Sequence, residues 1–342
     1  MVHVAAPHQY LTELLNLPLI DVRSPAEYEH AHIPNALSIP LFSDQERAII
    51  GTLYKQEGKE AAVRAGLEIV APHMLSFIDQ LRKYTDKKEV VVHCWRGGMR
   101  SHAVAMLFSF AGYKTYQIAG GYKAIKQELR QHATNTNYRC ILIGGKTGSG
   151  KTALLEELTR QGKQVINLEQ LAAHKGSAYG QLGQAAQPSQ EQFNLSLFWQ
   201  LYQYNPQKTI WFEHEGRRIG SLHIPQELVT HLEHSPVVYI NIPRAERIER
   251  IIAEYGTFTK KELIASTHQL EQRLGNQKMQ EICVAIEKDN LPIAVEKLLD
   301  HYDASYEFAT QRNATNHFTQ IDLPSTNLKD RAQALIDLAQ RL

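Results

Sequence analysis

The sequence predicts an α/β protein of two consecutive domains, each built on a small parallel sheet covered by helices. The chain has 342 residues, and at about 150 residues per domain this length predicts roughly two domains. Short β-branched runs alternate with apolar-faced helices up to about residue 133, and the alternation begins again after the polar stretch 132–138. We therefore place one domain at 1–133 and a second at 134–342, whose part after about residue 244 is mainly helical.

Composition and charge exclude several classes of protein. Apolar residues make up 43% and charged residues 21% of the chain, which is typical of a globular protein and not of a disordered or collagen-like one. The 37 basic and 36 acidic residues leave a net charge of +1, so nucleic acid could bind only to a local basic patch. Three cysteines do not make a disulfide framework, and they favour a reducing compartment.

The sequence also indicates a compartment. Its start, MVHVAAPHQY, has neither the basic nor the apolar region of a secretory signal. No run approaches the roughly 18–20 apolar residues that a membrane helix needs. We expect a cytoplasmic protein that has no membrane partner.

Four strands are predicted in the first domain. The β-branched run EVVVH is typical of a strand buried on both faces. A glycine-containing turn follows it, and then an apolar-faced helix that ends at Gly112. The predicted strands are 19–22, 36–39, 89–93 and 116–118.

The second domain repeats this pattern and adds a helical region. The strand RCILI is followed by a glycine loop and the helix TALLEELTRQG. The predicted strands are 139–143, 164–168, 209–212, 237–242 and 317–321. Amphipathic spacing predicts a terminal helix and, before it, helices at 244–255, 260–275, 278–290 and 292–310. The segment 173–193 is polar and long, which favours a loop that faces a substrate.

The first candidate site is the string VVHCWRGGMRS, residues 91–101. Cys94 directly follows a predicted strand and precedes a helix, so the loop amides form an anion site at a helix N-terminus. Arg96 and Arg100 add positive charge, and such surroundings favour the nucleophilic thiolate. The alternative is a buried structural cysteine, which is the interpretation we give to Cys140 and Cys283. The candidate anion-loop residues around the catalytic Cys94 are Trp95, Arg96, Gly97, Gly98, Met99 and Arg100.

Two enzyme classes use such a loop. Cysteine phosphatases carry His-Cys, five residues and then Arg, a spacing that His93, Cys94 and Arg100 match. Sulfurtransferases of the rhodanese type carry sulfur or selenium on the cysteine. The motifs DVRSPAEYEHAHIPNA (21–36) and IAGGYKAI (118–125) look like the early and closing motifs of rhodanese domains, and they favour that class.

The second candidate site is a P-loop. The string GKTGSGKT matches G-x-x-x-x-G-K-[ST] between a predicted strand and a predicted helix, which is the context that the motif requires. Its backbone amides and Lys151 would hold phosphate oxygens, and Thr152 is a candidate Mg²⁺ ligand. The candidate phosphate-binding residues are Gly145, Lys146, Thr147, Gly148, Ser149, Gly150, Lys151 and Thr152.

Acids and arginines that follow a later strand could complete this site. The strand TIWFEHE supplies Glu213 and Glu215, and Arg217 and Arg218 come directly after it. These four residues are candidate contacts to a diphosphate or to RNA, and the alternative is a surface cluster of ion pairs. The strand after the P-loop helix does not end in an obvious catalytic acid, and no base-reading motif is visible. A diphosphate on a molecule other than a nucleotide therefore fits the loop equally well.

The two domains together resemble the bacterial tRNA 2-selenouridine synthase family over essentially the full length. Besides the rhodanese and P-loop motifs, the resemblance is carried by four further strings. They are GTLYKQEGKEAAVRAG, NLEQLAAHKGSAYG, QPSQEQF and FEHEGRRIG. It implies that 2-thiouridine at the wobble position of tRNA for Lys, Glu and Gln is S-geranylated with geranyl diphosphate. Selenium from selenophosphate then replaces the geranylthio group, through an S-selanylcysteine at Cys94.

The resemblance also implies the partners. We expect binding of the tRNA anticodon loop, contact with the selenophosphate-producing enzyme and no tightly bound cofactor, with Mg²⁺ as a candidate ion. The aromatic residues Tyr179, Phe193 and Trp199 are candidates for stacking on the target base, the alternative being that they belong to the core. Candidate phosphate contacts are the basic residues of 87–130 (Lys87, Lys88, Arg96, Arg100, Lys114, Lys123, Lys126 and Arg130) and of 217–250 (Arg217, Arg218, Arg244, Arg247 and Arg250).

Two rival functions stay open from the residues alone. One is a sulfurtransferase or cysteine phosphatase fused to a regulatory P-loop ATPase, with no role in RNA. The other is a rhodanese scaffold without catalysis, although inactive rhodanese domains commonly lack the cysteine. The sequence does not give the oligomeric state, the domain arrangement or the phosphate that the P-loop holds.

Overall fold

The computed structural model describes residues 1–312, 318–323 and 327–342. The chain divides into two compact units, Met1–Ala133 and Thr134–Leu342. Each unit contains a five-stranded sheet covered by helices. The predicted α/β fold class is confirmed.

The sheet of the first unit is entirely parallel, in the order β1-β5-β4-β2-β3. Its strands are β1 (Val2–Ala5), β2 (Leu19–Asp21), β3 (Leu37–Ser38), β4 (Glu89–His93) and β5 (Lys114–Ile118). All of them except β1 overlap the predicted strands. The edge strand β1 has one buried residue in four, without the apolar run or the alternation that would reveal a strand.

Seven helices surround this sheet in the described residues. They are α1 (Pro7–Glu13), α2 (Pro25–His30), α3 (Asp44–Gln56), α4 (Lys59–Val70), α5 (Met74–Tyr84), α6 (Met99–Phe110) and α7 (Gly121–Asn135), with a 3₁₀ turn at Ala71–His73 between α4 and α5. The core joins the apolar face of α6 to β4, with Val104 and Phe108 packed on Val90 and Val92. The four side chains are almost fully buried, so α6 and β4 form one rigid support for the loop between them.

The first half of the predicted linker at 132–138 is helical, so that part of the prediction is wrong. Helix α7 continues to Asn135, because its buried face of Tyr122, Ile125, Leu129 and Ala133 extends that far. Buried residues at three- and four-residue spacing stabilise a helix even where the local sequence is polar.

One helical stretch bears on the expectation about apolar runs. Lys59–Tyr84 spans 26 residues, and its length and composition would allow it to cross a membrane. The acids Glu68 and Asp79 and the turn at Pro72 interrupt it, so no continuous apolar run appears in the sequence. A single stretch of this kind is weak evidence for a membrane span, because apolar helices of soluble proteins meet the same criteria.

The sheet of the second unit is also parallel, in the order β12-β11-β6-β8-β7. Beside it lies a two-stranded antiparallel ribbon, β9 with β10. The strands are β6 (Cys140–Gly144), β7 (Gln164–Ile166), β8 (Ile210–Glu213), β9 (Arg218–Ile219), β10 (Leu222–His223), β11 (Val237–Asn241) and β12 (Phe318–Asp322). The last predicted strand began at His317, which lies outside the described residues.

The helices of the second unit form two groups. Those around the sheet are α8 (Lys151–Arg160), α9 (Leu168–Ala172), α10 (Gln190–Gln203), α11 (Gln226–Glu233) and α17 (Leu328–Ala339). The predicted helical region contains α12 (Arg244–Tyr255), α13 (Lys260–His268), α14 (Glu271–Leu274), α15 (Asn276–Glu287) and α16 (Leu291–Arg312). It has its own apolar core, which includes Leu263, Ile282, Ile286 and Ala294.

Candidate functional site

Cys94 lies where the sequence predicts it, in the loop between the end of β4 and the start of α6. Its side chain is only 3% exposed, and its Sγ lies 3.3 Å from the Ser101 hydroxyl. Trp95 is half-buried, whereas Arg96, Gly98 and Met99 are exposed. The loop therefore carries its cysteine at a helix N-terminus, where backbone amides favour a bound anion.

The glycines of the closing motif pack directly against this loop. Gly97 and Gly121 both have positive φ, and a Cβ on Gly121 would collide with the Cys94 carbonyl oxygen. The Tyr122 amide donates to that same oxygen at 2.8 Å. Gln117, which sequence reasoning missed, donates through Nε2 to the Gly97 carbonyl at 2.7 Å. These contacts fix the backbone on which the thiol is carried.

Arg100 is engaged by an acid outside the loop. Its guanidinium donates to the Glu27 carboxylate at 2.7 Å. Burial raises the pKa of Glu27, but the hydrogen bond and the charge of Arg100 oppose this, and the pKa lies below its ordinary value. Glu27 also closes the capping box of α2. Part of the positive charge of Arg100 is thus balanced, and Arg96 is the exposed cation of the loop.

A buried ionic group supports the loop from below. Asp21 and Arg23, both from the early motif, are paired at 2.6 Å and almost fully buried. The Arg23 guanidinium lies 3.9 Å from the centroid of the Tyr122 ring. Burial lowers the pKa of His93, whose ring nitrogens have no hydrogen-bond partner among the described residues. Burial thus disfavours the charged form of this imidazole, against the opposing effect of Asp21, whose Oδ2 lies 3.7 Å from His93 Nε2.

The P-loop follows β6, the central strand of the second sheet, and leads into α8. Gly148 and Gly150 have positive φ. Helix α12 packs closely on both, and a Cβ on Gly148 would lie 2.8 Å from Ile251. The Ser149 hydroxyl is buried without a partner among the described residues. These glycines are required by both backbone geometry and packing.

Arg247 and Arg250 of α12 contact P-loop carbonyls, and the burial of Arg247 corrects its prediction as a phosphate contact for RNA. Arg247 is 4% exposed; it donates to the Thr147 carbonyl at 3.1 Å and pairs with Asp303 at 2.6 Å. Arg250 pairs with Glu246, and Arg244 pairs with Asp300. Ion pairs with acids of the same unit occupy these guanidinium groups, so phosphate would have to compete for them.

The predicted acids Glu213 and Glu215 do reach the P-loop. The Lys151 Nζ lies 3.7 Å from Glu213 Oε1. Sequence reasoning found no obvious catalytic acid at the end of the strand that follows the P-loop helix, but an acid does lie beside the P-loop there. Glu169 follows β7, and its Oε2 accepts from the Thr152 hydroxyl at 3.4 Å. The sequence did contain a signal for Glu169, because it follows a predicted strand and the carboxyl ends of parallel strands meet at one edge of a sheet.

The three glutamates form a compact acidic group. Ligand oxygens from Glu169, Glu213 and Glu215 lie within 4.8 Å of one another. Burial and the neighbouring acids raise the pKa of Glu169 to about 9. Burial raises the pKa of Glu213 to about 7, against the opposing effect of Lys151. Carboxylate oxygens beside a P-loop threonine suit Mg²⁺, and Glu213 Oε2 has no hydrogen-bond partner among the described residues, so the donor set fits that ion.

Arg217 and Arg218 lie away from this site. Both are exposed and neither lines the P-loop cavity. Arg217 donates to Glu233 at 3.0 Å, and Arg218 donates to the Gly220 carbonyl at 2.6 Å. Of the four candidate contacts at and beyond the end of β8, the structure therefore brings only the two glutamates to the phosphate loop.

The P-loop opens into a cavity of about 530 Å³. One end is polar and contains Lys151, Thr152 and the three glutamates. The other end is apolar and is formed by helices of the C-terminal helical region. Its lining includes Leu263, Ile286, Leu291, Ala294, Val295, Leu298 and Leu299. A lining of this kind suits a ligand with an anionic head and a hydrocarbon tail.

The structure agrees with only part of what the sequence predicts for the segment 173–193 and for the three candidate stacking residues. Lys175, Gly176 and Tyr179 line the cavity, but α10 begins at Gln190, so the end of the segment is helical. The three candidate stacking residues are all buried. They are Tyr179, Phe193 and Trp199. Their burial favours the alternative that they belong to the core, and the Tyr179 hydroxyl lies 2.6 Å from the Thr267 hydroxyl.

Comparison with known proteins agrees with both units. A family model for the tRNA 2-selenouridine synthase AAA domain matches residues 138–325, and one for the rhodanese-like domain matches residues 7–128. A tRNA 2-selenouridine synthase from Sulfurovum sp. (strain NBC37-1) is 31% identical, over 88% of this chain and 91% of its own. The tRNA 2-selenouridine synthase of Salmonella enteritidis is 33% identical, over 89% of this chain and 92% of its own. That of Salmonella typhi is 38% identical, over 71% of this chain and 67% of its own.

Proposed function

The chain belongs to the tRNA 2-selenouridine synthase family, and from this membership we propose the two steps by which it modifies tRNA. The substrate is the wobble 2-thiouridine of tRNA for Lys, Glu and Gln. Geranyl diphosphate alkylates its sulfur in the first step, and selenophosphate supplies selenium in the second. The cavity that joins the P-loop to an apolar pocket is the observation that carries this proposal.

The first step uses the P-loop cavity. The thione sulfur attacks the first carbon of the geranyl group, the bond from that carbon to the diphosphate oxygen breaks, and the uridine N3 proton is lost. Lys151 and the loop amides stabilise the charge that develops on the departing diphosphate. Thr152 and the glutamates beside it would hold Mg²⁺, which neutralises diphosphate charge when bound. The apolar helices accept the hydrocarbon chain.

The second step uses the Cys94 loop. Alkylation turns the sulfur into a thiol leaving group and makes C2 more electrophilic. The Cys94 thiolate attacks C2 and displaces geranylthiolate, which takes up a proton. The selenium of selenophosphate then attacks C2, the bond from C2 to the Cys94 Sγ breaks, and water cleaves the selenium–phosphorus bond. The S-selanylcysteine that the resemblance implies could not form with release of phosphate unless an oxidant took up two electrons. The overall exchange consumes one water and releases geranylthiol and phosphate, while N3 regains its proton. Arg96 and the amides of residues 95–99 hold the phosphate group of the donor.

A set of four incubations tests this division of labour. Cys94→Ser should still geranylate 2-thiouridine tRNA and should accumulate the geranylated product. Lys151→Ala should geranylate at least about 10²-fold more slowly, because one charged group at the reacting centre has an effect of that order. It should still convert tRNA that was geranylated beforehand. Each variant is incubated with each tRNA, and nucleoside mass spectrometry measures the products.

Two results would contradict the proposal. Normal geranylation by Lys151→Ala would mean that the P-loop holds another phosphate, such as a nucleotide. Selenium transfer by Cys94→Ser at the wild-type rate would remove Cys94 from the second step. Lys163→Ala is the matched control for the lysine, because Lys163 is an exposed lysine of the same unit that does not line the cavity.

A further inference from the structure

The apolar half of the P-loop cavity follows one face of helix α16. The residues of α16 that line it recur at three- and four-residue spacing, which places them on one side of the helix. They are Leu291, Ala294, Val295, Leu298, Leu299 and Tyr302. At about 1.5 Å per residue, the face from Tyr302 to Leu291 is about 16 Å long.

One end of this face lies beside the P-loop. Asp303, the neighbour of Tyr302, pairs with Arg247 at 2.6 Å and lies 3.8 Å from the Lys146 Nζ. Arg247 in turn donates to the carbonyl of Thr147 in the P-loop. A diphosphate held by the P-loop would therefore place the first carbons of its chain near Tyr302.

The other end of the face meets the ends of three helices. A Cβ on Gly256, at the end of α12, would lie 3.6 Å from Leu291. The Lys260 Nζ of α13 donates to the Glu287 carbonyl of α15 at 2.9 Å, which brings Leu263 and Ile286 to this end. Both side chains are almost fully buried, at 5% and 3% exposure. We call Leu263, Ile286 and Leu291 the distal wall.

We propose that the distal wall, together with Ala294, sets the length of the isoprenoid chain that the enzyme accepts. This inference rests on the proposed function, because it requires an isoprenoid diphosphate in this cavity. Because the P-loop fixes the diphosphate, the isoprenoid chain extends along α16 toward the distal wall. A longer chain meets the distal wall, and a shorter one leaves apolar surface unfilled. Packed side chains yield little to an overlong ligand, and Ala294 is the smallest residue on the face.

Two substitutions should shift the preference in opposite directions. Ile286→Ala enlarges the distal end and should raise the affinity for farnesyl diphosphate relative to geranyl diphosphate. Ala294→Leu fills the middle of the face and should lower the affinity for geranyl diphosphate relative to dimethylallyl diphosphate. Each ratio should change about tenfold or more, as expected when a hydrophobic pocket gains or loses a few carbon atoms. Calorimetric titration of the full chain without tRNA measures all three ligands.

Matched controls lie in the same core. Ile282→Ala removes the same side chain one turn earlier on α15, and Ala285→Leu adds the same side chain on that helix; neither position lines the cavity. Unchanged ratios in both cavity variants, or equal shifts in the controls, would overturn the inference. If Ile286→Ala unfolds, Ile286→Val gives the same test with a smaller change. A wild-type protein that binds inorganic diphosphate as tightly as geranyl diphosphate would instead overturn the proposed function.

Discussion

Glu213 shares a buried site with Glu169, Glu215 and Lys151, and the burial changes its proton affinity. Its pKa rises from an ordinary 4.5 to about 7 in the folded chain. The folded state thus holds this proton more tightly than the unfolded state does. As pH rises from 4.5 through 7, the carboxylate is forced to ionise where it is poorly solvated, and stability falls.

The substitution Glu213→Gln should therefore stabilise the ligand-free protein at pH 8 and have little effect at pH 4.5. We expect the melting temperature of the second unit to rise by about 3 °C or more at pH 8. Thermal melts at both pH values, without Mg²⁺ or diphosphate, measure this. Glu156→Gln is the control, because Glu156 lies at the same cavity but is exposed. A lower melting temperature for Glu213→Gln at pH 8 would show that the pair with Lys151 outweighs burial.

The sequence context predicts that Cys140 and Cys283 are structural, and the structure supports this for both. Cys140 lies in a strand and Cys283 on a core helix, and both are buried. Burial raises the pKa of Cys140 to about 12 and also raises that of Cys283, so neither thiolate is favoured. Only Cys94 has a helix N-terminus and exposed loop residues beside it. Its role in selenium transfer stays a prediction.

The contact between the closing glycine motif and the Cys94 loop leads to a prediction at the scale of the element. Gly121→Ala should strain the backbone by about 1–2 kcal/mol, because φ is positive there, and its Cβ would also displace the Cys94 carbonyl. We expect a loss of at least tenfold in selenium transfer and unchanged geranylation. Single-turnover assays of each step, with tRNA supplied in the appropriate form, measure both rates.

Gly112→Ala separates the two causes. Gly112 also has positive φ, but nothing lies within 4 Å of the position of its Cβ. It should cost similar stability and leave both reactions intact. Equal losses of selenium transfer in the two variants would mean that backbone strain, and not the position of the Cys94 loop, is responsible.

Local patterns predicted most elements, and non-local contacts explain the failures. The strands β4 and β6 and the helices after them were found because their apolar runs and glycine turns are contiguous in sequence. Glu169 was missed because only the parallel sheet brings the end of β7 next to the P-loop. Arg247 was assigned to a surface because its acid partner, Asp303, is distant in the sequence. The buried position of Tyr179 likewise depends on Thr267.

For the molecule as a whole, a net charge of +1 gives no overall attraction to tRNA. We therefore expect tRNA to bind through a local group of exposed basic residues, such as those of 87–130. Affinity should fall about tenfold or more between 50 and 200 mM salt, because contacts to phosphate release counterions. Lys123→Ala should weaken binding and flatten the plot of log affinity against log salt by about one unit. Lys114→Ala should have a smaller effect, since Lys114 already pairs with Glu89 at 3.0 Å.

Filter-binding titrations over that salt range, with unmodified tRNA for Lys, measure these slopes. An affinity that does not change with salt would contradict an electrostatic interface. An equal loss in the two lysine variants would mean that the ion pair with Glu89 does not hold Lys114 away from phosphate.

The packing of α17 on α8 has a consequence for biosynthesis. Leu154, Leu155 and Leu158 of the P-loop helix are buried in one core with Ala332, Leu335 and Ala339. These two segments are translated far apart in time, and contacts of such large sequence separation form slowly. Until residues 328–339 have left the ribosome, the apolar face of α8 lacks its cover. The nascent second unit therefore exposes a leucine surface that is prone to aggregation and that chaperones can bind.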